Sequence, residues 1–315
     1  MATRLIRGLY NITVKDQGSV LTIGNFDGVH RGHAKLLLKT RELAKKWHTS
    51  SMLMTFEPHP TEFFSSFKPV PRLTSWREKF TLLKGFGIDR ILMVPFNTEF
   101  ANLTAEAFIQ QILCETLHVK AVVIGDDFQF GQGRKGTVTL LQELGARLGF
   151  YVEPVSAVTT ANHQRISSTR IRQALAEANL PLAAELLGWR YQIAGRVVHG
   201  DKLGRTMGFP TANIQLHRQV APLQGVYSVR MHGLGDHALP GVANLGTRPT
   251  IGGTKARLEV HLFDFNDTIY GRHVSVEFCQ KIRDEERFSD VALLIAKMEE
   301  DAQYARDYFE MRGEM

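Results

Sequence analysis

A pair of histidines follows a glycine-containing turn near the start of the chain. The apolar run at residues 19–23 is typical of a strand, and Gly24 and Gly28 lie between this run and His30 and His33. Glycines at a turn from a strand into a helix let the backbone approach a ligand, and the N–H groups at the helix N-terminus attract phosphate. Both imidazoles can donate hydrogen bonds to a phosphate as negative charge develops on it. The pattern predicts chemistry at a bound phosphate, with no side chain needed as a nucleophile.

Two other sites fit parts of the same sequence less well. A catalytic zinc site needs a third protein ligand beside His30 and His33, and His59 is the only obvious candidate. The glycines of residues 131–136 satisfy the GxGxxG spacing of a dinucleotide site, but residues 126–130 separate them from the preceding strand. Because that fingerprint requires the glycines directly at the turn from strand to helix, NAD binding is disfavoured.

A second cluster of polar residues lies at the end of the first half. Ser168 or Thr169 suits the N-cap of a helix that runs to Ala178, while Arg165, Arg170 and Arg172 supply cations that can bind a triphosphate. An ordinary capped helix has the same residue types. The segment therefore supports a nucleotide site only together with the histidine motif.

A glycine-rich segment in the second half lacks the spacing of a Walker A loop. Gly200, Gly204 and Gly208 recur every four residues ahead of Thr211 and Asn213. Such a segment permits close approach of the backbone to phosphates, and the two uncharged oxygen ligands suit a hard cation such as Mg²⁺. The segment predicts a Mg²⁺–ATP site.

Glu259 lies in a run of alternating polar and aliphatic residues. The alternation places it on the face opposite Leu258 and Val260. A carboxylate on the polar face of a strand is most often simply solvated, so Glu259 becomes a candidate only through its neighbouring motifs.

The elements that position the first motifs form a repeating pattern. Five apolar runs alternate with helix-like stretches, and these runs are residues 19–23, 51–56, 90–95, 121–124 and 150–155. Near-continuous apolar strands separated by helices predict a parallel sheet, whose ligands bind beyond the carboxyl ends of the strands. The motifs of the first half fall at those ends.

The pattern changes to period two after residue 187. Alternating runs at residues 226–231, 257–262 and 274–278, with glycine-rich turns between them, predict an antiparallel barrel. A final helix is expected at residues 289–310, with Ser289 as its N-cap. We place the domain boundary at this change, giving domains at residues 1–187 and 188–315.

Composition excludes several classes of protein. Apolar residues at 43% and charged residues at 22% of the 315 residues are globular values, which argues against a disordered or fibrous chain. No apolar run approaches the roughly 20 residues of a membrane span, and no signal peptide is evident. Cys114 and Cys279 are too few and too far apart for a disulfide framework, so we expect reduced thiols and a cytoplasmic protein.

The net charge of +6 is confined to the first part of the chain. Residues 1–186 contain 22 basic and 16 acidic side chains, while residues 187–315 contain 16 of each. Basic charge attracts nucleic acids, membranes or phosphorylated metabolites alike.

The string GNFDGVHRGH at residues 24–33 resembles the HxGH nucleotidyltransferase superfamily and, within it, the bacterial FAD synthetase branch. TFEPHP at 55–60, GDDFQFG at 125–131 and ISSTRIR at 166–172 follow in the family's order. The resemblance implies an ATP site with Gly24, Phe26, Asp27, Gly28, His30, His33, Ser168, Thr169 and Arg172. It implies catalytic roles for His30, His33, Arg165, Ser168 and Thr169. It implies a flavin site with Phe56, Pro58, His59, Asp127 and Phe128.

The segment at residues 195–214 resembles the riboflavin kinase family, and the strings at residues 225–227, 241–250 and 258–262 continue the resemblance. It implies that Glu259 is the general base for the riboflavin hydroxyl and that Thr211 and Asn213 hold Mg²⁺ with ATP. It implies ATP contacts for Gly200, Gly204 and Gly208, and a flavin-side role for Arg283 and Phe288.

Together the two resemblances cover nearly the whole chain and imply a bifunctional FAD synthetase. The expected fold is a Rossmann-like α/β domain followed by an antiparallel β-barrel with a terminal helix. The expected reactions phosphorylate riboflavin to FMN and adenylylate FMN to FAD and pyrophosphate, with ATP as substrate and Mg²⁺ as cofactor in both. The expected partners are riboflavin, FMN, FAD and ATP, with neither nucleic acid nor membrane, and the oligomeric state stays open.

Two rival functions are weaker. HxGH chemistry on another phosphate acceptor, with a purely regulatory barrel, does not account for the FPTAN string at residues 209–213. A module that binds RNA or DNA needs a basic groove with stacking aromatic side chains. The zero net charge of residues 187–315 argues against that function.

Overall fold

The computed structural model describes residues 3–65, 69–200, 208–250 and 253–313. The chain divides into two compact units, Met1–Val70 with Lys79–Ser167 and Pro71–Glu78 with Ser168–Met315. The sequence predicts a domain boundary between residues 187 and 188, which is 20 residues after the division between Ser167 and Ser168. The difference arises because the two helices within residues 168–187 belong to the second unit. As the boundary between two functions, residue 187 stays a prediction.

The first unit is built on a six-stranded parallel sheet of order β1-β4-β3-β2-β5-β6. Its strands are β1 (Arg4–Arg7), β2 (Val20–Ile23), β3 (Ser51–Glu57), β4 (Arg90–Pro95), β5 (Ala121–Gly125) and β6 (Tyr151–Val155). The central strands β2 and β5 are buried along almost their whole length. Both faces of the sheet are therefore covered, as the continuous apolar runs predicted.

Helices connect these strands. They are α1 (Arg31–Lys46), α2 (Pro60–Phe64), α3 (Trp76–Gly85), α4 (Thr98–Ala101), α5 (Ala105–Ala107) and α6 (Val138–Leu148). Helix α5 continues directly into a π-helical segment, Phe108–Thr116. In α6 the Thr137 side chain accepts a hydrogen bond from the Leu140 N–H at the N-terminus, and Gly149 ends the helix at φ +85°.

The second unit contains α7 (Ser168–Ala176), α8 (Leu180–Leu187) and a closed antiparallel barrel of order β10-β11-β8-β7-β12-β9. The barrel strands are β7 (Gln192–Val198), β8 (Ala212–Gln215), β9 (Gly225–His232), β10 (Leu239–Thr250), β11 (Gly253–Leu262) and β12 (His273–Arg283). The chain ends with helix α9 (Val291–Glu310). In the described part of the chain, no helix has the length and hydropathy needed to cross a bilayer.

The N-cap of α9 is Asp290, and the prediction of Ser289 was wrong. The Asp290 carboxylate accepts a hydrogen bond from the Ala292 N–H at 3.1 Å. A carboxylate at this position satisfies an unpaired helical N–H and is also favoured by the helix dipole.

A buried ion pair holds the segment 71–78 in the second unit. Arg218, with a side chain only 2% exposed, pairs with the Glu78 carboxylate and donates to the Tyr191 hydroxyl at 3.0 Å. The Glu78 carboxylate also accepts from the Ala194 N–H at 2.6 Å. Both charges are therefore satisfied within the barrel unit, where an unpaired charge would be costly.

Removing this arginine is expected to destabilise the second unit strongly. Arg218→Met leaves the Glu78 carboxylate buried without its cation, and breaking one partner of a buried pair costs about 3–5 kcal/mol in the free energy of unfolding. A urea titration followed by fluorescence measures this loss in a Trp47→Phe background. In that background Trp76 and Trp189, both in the second unit, are the reporters.

Lys297→Met is the matched control, because Lys297 pairs with Glu300 on the surface of α9. Surface pairs contribute about 0–1 kcal/mol, so this variant should unfold close to the wild type. Equal midpoints and equal denaturant slopes for Arg218→Met and wild type would show that the buried pair does not stabilise the unit.

Candidate active sites

The histidine turn, residues 24–33, connects β2 to α1 at the carboxyl edge of the parallel sheet. Its backbone enters the left-handed region at Phe26 (φ 48°), Gly28 (φ 81°) and Val29 (φ 40°). The Phe26 and Asp27 side chains are almost completely buried. The turn is thus packed into the unit rather than exposed, and its backbone conformation is strained at two non-glycine residues.

His30 and His33 are held together as a stacked pair. Their ring centroids are 3.6 Å apart with an interplanar angle of 15°, and His30 Nδ1 accepts the His33 backbone N–H at 3.3 Å as the N-cap of α1. A Cβ at Gly32 would lie 3.0 Å from His30 Cε1. A side chain at position 32 would therefore require the His30 ring to shift by a few tenths of an ångström. The prediction that both imidazoles lie at the start of one helix is confirmed.

Burial lowers the pKa of His33 well below its usual value of about 6.5, and the charges of His30 and Lys79 lower this pKa further. Its Nδ1 is buried, and it has no hydrogen-bond partner among the described residues. His33 is therefore neutral at pH 7, with one ring nitrogen available as a donor.

The lowered pKa of His33 makes the stability of the first unit depend on pH. Unfolding returns His33 to a pKa of about 6.5, so below that pH the unfolded chain binds a proton that the folded chain does not. The contribution of His33 therefore reduces stability as pH falls below about 6.5 and leaves it unchanged above. In His33→Gln we expect this pH dependence to weaken.

Amide hydrogen exchange of peptides from α1, compared between wild type and His33→Gln at matched pH, measures the effect in the first unit alone. The amide protection of His33→Gln relative to the wild type should increase as the pH is lowered from 7 to 5.5. A difference that is constant with pH would mean that His33 titrates alike in the folded and unfolded chains.

Arg165 and Asp127 form an ion pair at the carboxyl edge of the sheet. Their atoms approach to 2.5 Å, and both side chains are about half exposed. An exposed pair of this kind is weak, so its arginine can exchange the carboxylate for a phosphate. Phe128 follows β5 and stacks on Phe130 at 5.5 Å.

A cluster of aromatic rings extends from β3. The Phe56 ring lies 5.5 Å from Phe100 and 5.7 Å from Phe96. Phe63 on α2 contacts Phe96 at 5.4 Å, and Phe64 is 68% exposed. This surface offers planar apolar contacts to a planar ligand. Of these rings the sequence pointed only to Phe56, because the others are contributed by separate elements.

Pro58 and His59 shape the start of α2 beside that cluster. The Glu57–Pro58 peptide bond is cis. His59 is 6% exposed and caps α2, its Nδ1 accepting the Thr61 N–H at 3.2 Å. This nitrogen is thus engaged in the fold, which further disfavours His59 as a zinc ligand.

Ser168, Thr169 and Arg172 belong to the second unit. Helix α7 begins at Ser168, so Ser168 and Thr169 lie within its first turn and the prediction that one of them is the N-cap was wrong. Arg172 Nε donates to the Pro71 carbonyl at 2.9 Å. Arg172 therefore uses one of its N–H donors to bind the segment 71–78. Roles for these three residues at ATP stay predictions.

A pocket of about 280 Å³ lies between the outer face of the barrel strands and α9. Its lining residues are Phe209, Thr211, Val226, Val242, Asn244, Arg257, Glu259, His261, Arg283, Glu285, Glu286, Phe288, Leu294, Met298, Asp301 and Ala302. Glu259 pairs in register with Asn213 on β8 and with Asn244 on β10. Three polar residues therefore form a row across adjacent strands on one face of the sheet.

Arg257 connects two of the predicted site residues. Its Nη2 donates to Glu259 Oε1 at 2.7 Å and to Asn213 Oδ1 at 3.2 Å. The guanidinium thus fixes the orientation of the Glu259 carboxylate and places a positive charge at the Asn213 amide oxygen. Sequence analysis assigned no role to Arg257, although the alternation placed it on the same face as Glu259.

The flavin-side residues predicted from the sequence also line this pocket. Arg283 donates to the Asp301 carboxylate of α9 through Nε and Nη2, the shortest contact being 2.8 Å. Its guanidinium lies 5.7 Å from the Phe288 ring centroid. Asn244 Nδ2 donates to Glu285 at 3.2 Å. Neither Asp301 nor Asn244 was singled out from the sequence, because their importance depends on which strands and helices are neighbours.

The glycine-rich segment is described only at its two ends. A Cβ at Gly200 would lie 2.2 Å from Asn213 Nδ2, so the backbone approaches the Asn213 amide closely. Gly208 has φ +82°, which favours glycine. Gly204 lies outside the described residues.

Comparison with known proteins places both sites in one family. The family model for FAD synthetase matches residues 12–170, and the model for riboflavin kinase matches residues 187–309. The bifunctional riboflavin kinase/FMN adenylyltransferase of Escherichia coli K12 is 50% identical over 307 residues, which cover 97% of this chain and 98% of that protein. The chain belongs to the bifunctional riboflavin kinase/FMN adenylyltransferase family. The protein of the same name from Haemophilus influenzae is 47% identical over 306 residues, covering 97% of this chain and 99% of that protein.

The bifunctional riboflavin kinase/FMN adenylyltransferase family also explains the division of the sites. The histidine turn lies within the FAD synthetase match, and the Glu259 pocket lies within the riboflavin kinase match. A solved structure named macrolide-efflux protein from Streptococcus pneumoniae is 33% identical with a TM-score of 0.79, covering 97% of this chain and 99% of that one. The predicted fold class, a parallel α/β unit followed by an antiparallel barrel and a helix, is confirmed.

Proposed function

We propose that this chain converts riboflavin to FMN at the barrel pocket and FMN to FAD at the histidine turn, with ATP as the second substrate of both steps. The observation that carries the proposal is that each family match contains its own constellation of polar groups. The stacked His30 and His33 lie in one match, and the row of Asn213, Glu259 and Asn244 lies in the other.

In the kinase step the proposed general base is Glu259. Its carboxylate takes the proton of the riboflavin hydroxyl as that oxygen forms a bond to the γ-phosphorus of ATP and the bond to ADP breaks. Arg257 keeps the carboxylate oriented through the 2.7 Å hydrogen bond. Arg283 and Phe288 offer a cation and an aromatic face to the flavin side of the pocket.

Mg²⁺ is proposed at Thr211 and Asn213. Asn213 Oδ1 accepts hydrogen bonds from the Arg257 guanidinium, so a metal ion at this oxygen requires the Arg257 side chain to move away from it. Thr211, two residues before Asn213, adds a second uncharged oxygen and lines the Glu259 pocket. When bound, the metal neutralises charge on the phosphates.

In the adenylyl transfer step a phosphate oxygen of FMN attacks the α-phosphorus of ATP, and pyrophosphate leaves. No covalent intermediate with the protein is needed. His30 and His33 donate hydrogen bonds to the oxygens that gain charge, and Arg165, Ser168 and Thr169 are assigned to ATP by resemblance. Gly24, Phe26, Asp27, Gly28 and Arg172 complete the proposed ATP contacts. Phe56, Pro58, His59, Asp127 and Phe128 form the proposed FMN site.

We also propose that the protein acts in the cytoplasm. Two cysteines, Cys114 and Cys279, are too few and too far apart in sequence for a disulfide framework, which suits a reducing compartment, and ATP is the substrate of both reactions.

The proposal is tested by incubating the chain with riboflavin, ATP and Mg²⁺ and separating the flavins by chromatography over time. FMN should appear first and FAD second. Folded protein that forms neither product, also when FMN is supplied directly, would contradict the proposed function.

A further inference from the structure

A buried lysine lies beneath the histidine turn. Lys79 on α3 is 2% exposed, although lysine is rarely buried to this extent. Its Nζ donates a hydrogen bond to the backbone carbonyl of Asn25 at 2.8 Å. Burying an ammonium group costs free energy unless the group is hydrogen-bonded. A methionine or leucine at position 79 would fill the same space without this cost. The lysine therefore needs an explanation other than core packing.

The carbonyl that Lys79 binds is at a decisive place in the turn. Asn25 directly precedes Phe26, the first of the residues with positive φ. The Thr55 hydroxyl donates to the same carbonyl at 3.2 Å. Two donors from different elements thus fix the peptide plane from which the strained backbone departs toward the histidines. A strained conformation persists only where its surroundings determine it.

The positive charge of Lys79 also acts on the histidine pair. Burial is the largest cause of the lowered pKa of His33, and the charges of His30 and then Lys79 lower that pKa further. Removing the ammonium is therefore expected to raise the pKa of His33. The same group thus influences both the backbone of the turn and the protonation of the imidazole that the turn presents.

We propose that Lys79 is a positioning residue for adenylyl transfer, whose buried ammonium holds the Asn25 carbonyl and so fixes the turn that presents His30 and His33. The inference rests on the proposed adenylyltransferase function of that turn. Lys79 acts on the reaction through the turn.

The test measures FAD formation from supplied FMN and ATP as a function of pH in four variants. Lys79→Met keeps the length of the side chain but removes its charge and donors, and we expect kcat to fall about 100-fold, as for a small displacement of catalytic groups, with a change of less than threefold in KM. The acidic limb of the kcat profile should move to higher pH, because His33 then protonates more readily. Lys79→Arg, which keeps the charge, should leave that limb in place.

Two further variants separate positioning from general destabilisation. Thr55→Val removes only the second donor to the Asn25 carbonyl and should lower kcat about tenfold without moving the acidic limb. Lys84→Met is the matched control, because Lys84 is an exposed lysine of the same helix, and it should match the wild type. If Lys79→Met does not fold, Thr55→Val decides: a lowered kcat supports the proposal, and a wild-type kcat overturns it.

A folded Lys79→Met variant with wild-type kcat, or with a KM raised as much as kcat is lowered, overturns the proposal. An acidic limb that does not move refutes only the effect of the Lys79 charge on His33. Failure of the proposed function gives a different result, since the wild type would then form no FAD, or His30→Ala with His33→Ala would still form it. The positioning role of Lys79 alone is refuted when the double histidine variant forms no FAD and Lys79→Met forms FAD as the wild type does.

Discussion

Replacing His30 and His33 together by alanine is expected to abolish FAD formation from FMN and ATP, while FMN formation from riboflavin continues at the wild-type rate. The two stacked imidazoles lie at the start of α1, where a phosphate is attracted by free N–H groups. Removing one preorganised donor to a developing charge typically lowers kcat by about 10²–10³-fold. Loss of both should therefore lower kcat by about 10³-fold or more, measured by chromatography of the flavins.

His48→Asn provides the control for this pair. His48 is an exposed histidine just beyond the other end of α1, with φ 49°, a conformation that asparagine tolerates. This variant should form FAD as the wild type does. If the double histidine variant also lost FMN formation, or kept FAD formation, the assignment of adenylyl transfer to the histidine turn would be wrong.

Glu259→Gln is expected to show the opposite selectivity. It should lower the kcat for FMN formation from riboflavin by about 10²–10⁴-fold, the usual contribution of a general base. Glutamine keeps the shape of the side chain and can still accept from Arg257, so the loss reflects the missing proton acceptor rather than a collapsed pocket. Adenylylation of supplied FMN should continue at the wild-type rate, as measured by FAD and pyrophosphate release.

Glu299→Gln, an exposed change on α9, is the control for charge alone. It should leave both activities intact. Undiminished FMN formation by Glu259→Gln would exclude Glu259 as the base. Loss of both activities would show that its role is not confined to the kinase step.

The parallel sheet could be predicted from the sequence because its strands carry their own signal. Five of the six strands were placed within one residue at each end, since continuous apolar runs such as residues 121–124 have few alternative structures. Strand β1 (Arg4–Arg7) was missed because a four-residue edge strand with an arginine at each end has no apolar run. In the barrel, β7, β8 and β10 were not located individually, because β8 has only four residues and Gly195, Gly241 and Pro249 interrupt the alternation of the other two.

The candidate sites were predictable only where one short segment carries the chemistry. His30 and His33 are close in sequence, so their spacing indicated a shared position. Lys79 lies 54 residues from Asn25, and the periodicity of α3 gives no sign that its lysine is buried. Arg257 likewise could not be assigned a role from the sequence, because its contact with Asn213 arises from the pairing of two strands that are distant in sequence.

The separation of two active sites on one chain is tested most directly by mixing the two variants, each of which is defective in a different step. The double histidine variant and Glu259→Gln are combined with riboflavin, ATP and Mg²⁺, and the flavins are followed over time. FMN made by the first variant should be converted by the second, so the mixture should form FAD although neither variant alone forms it from riboflavin. A mixture of folded variants that accumulates FMN without FAD, or forms no FMN, would contradict two independent sites at these residues.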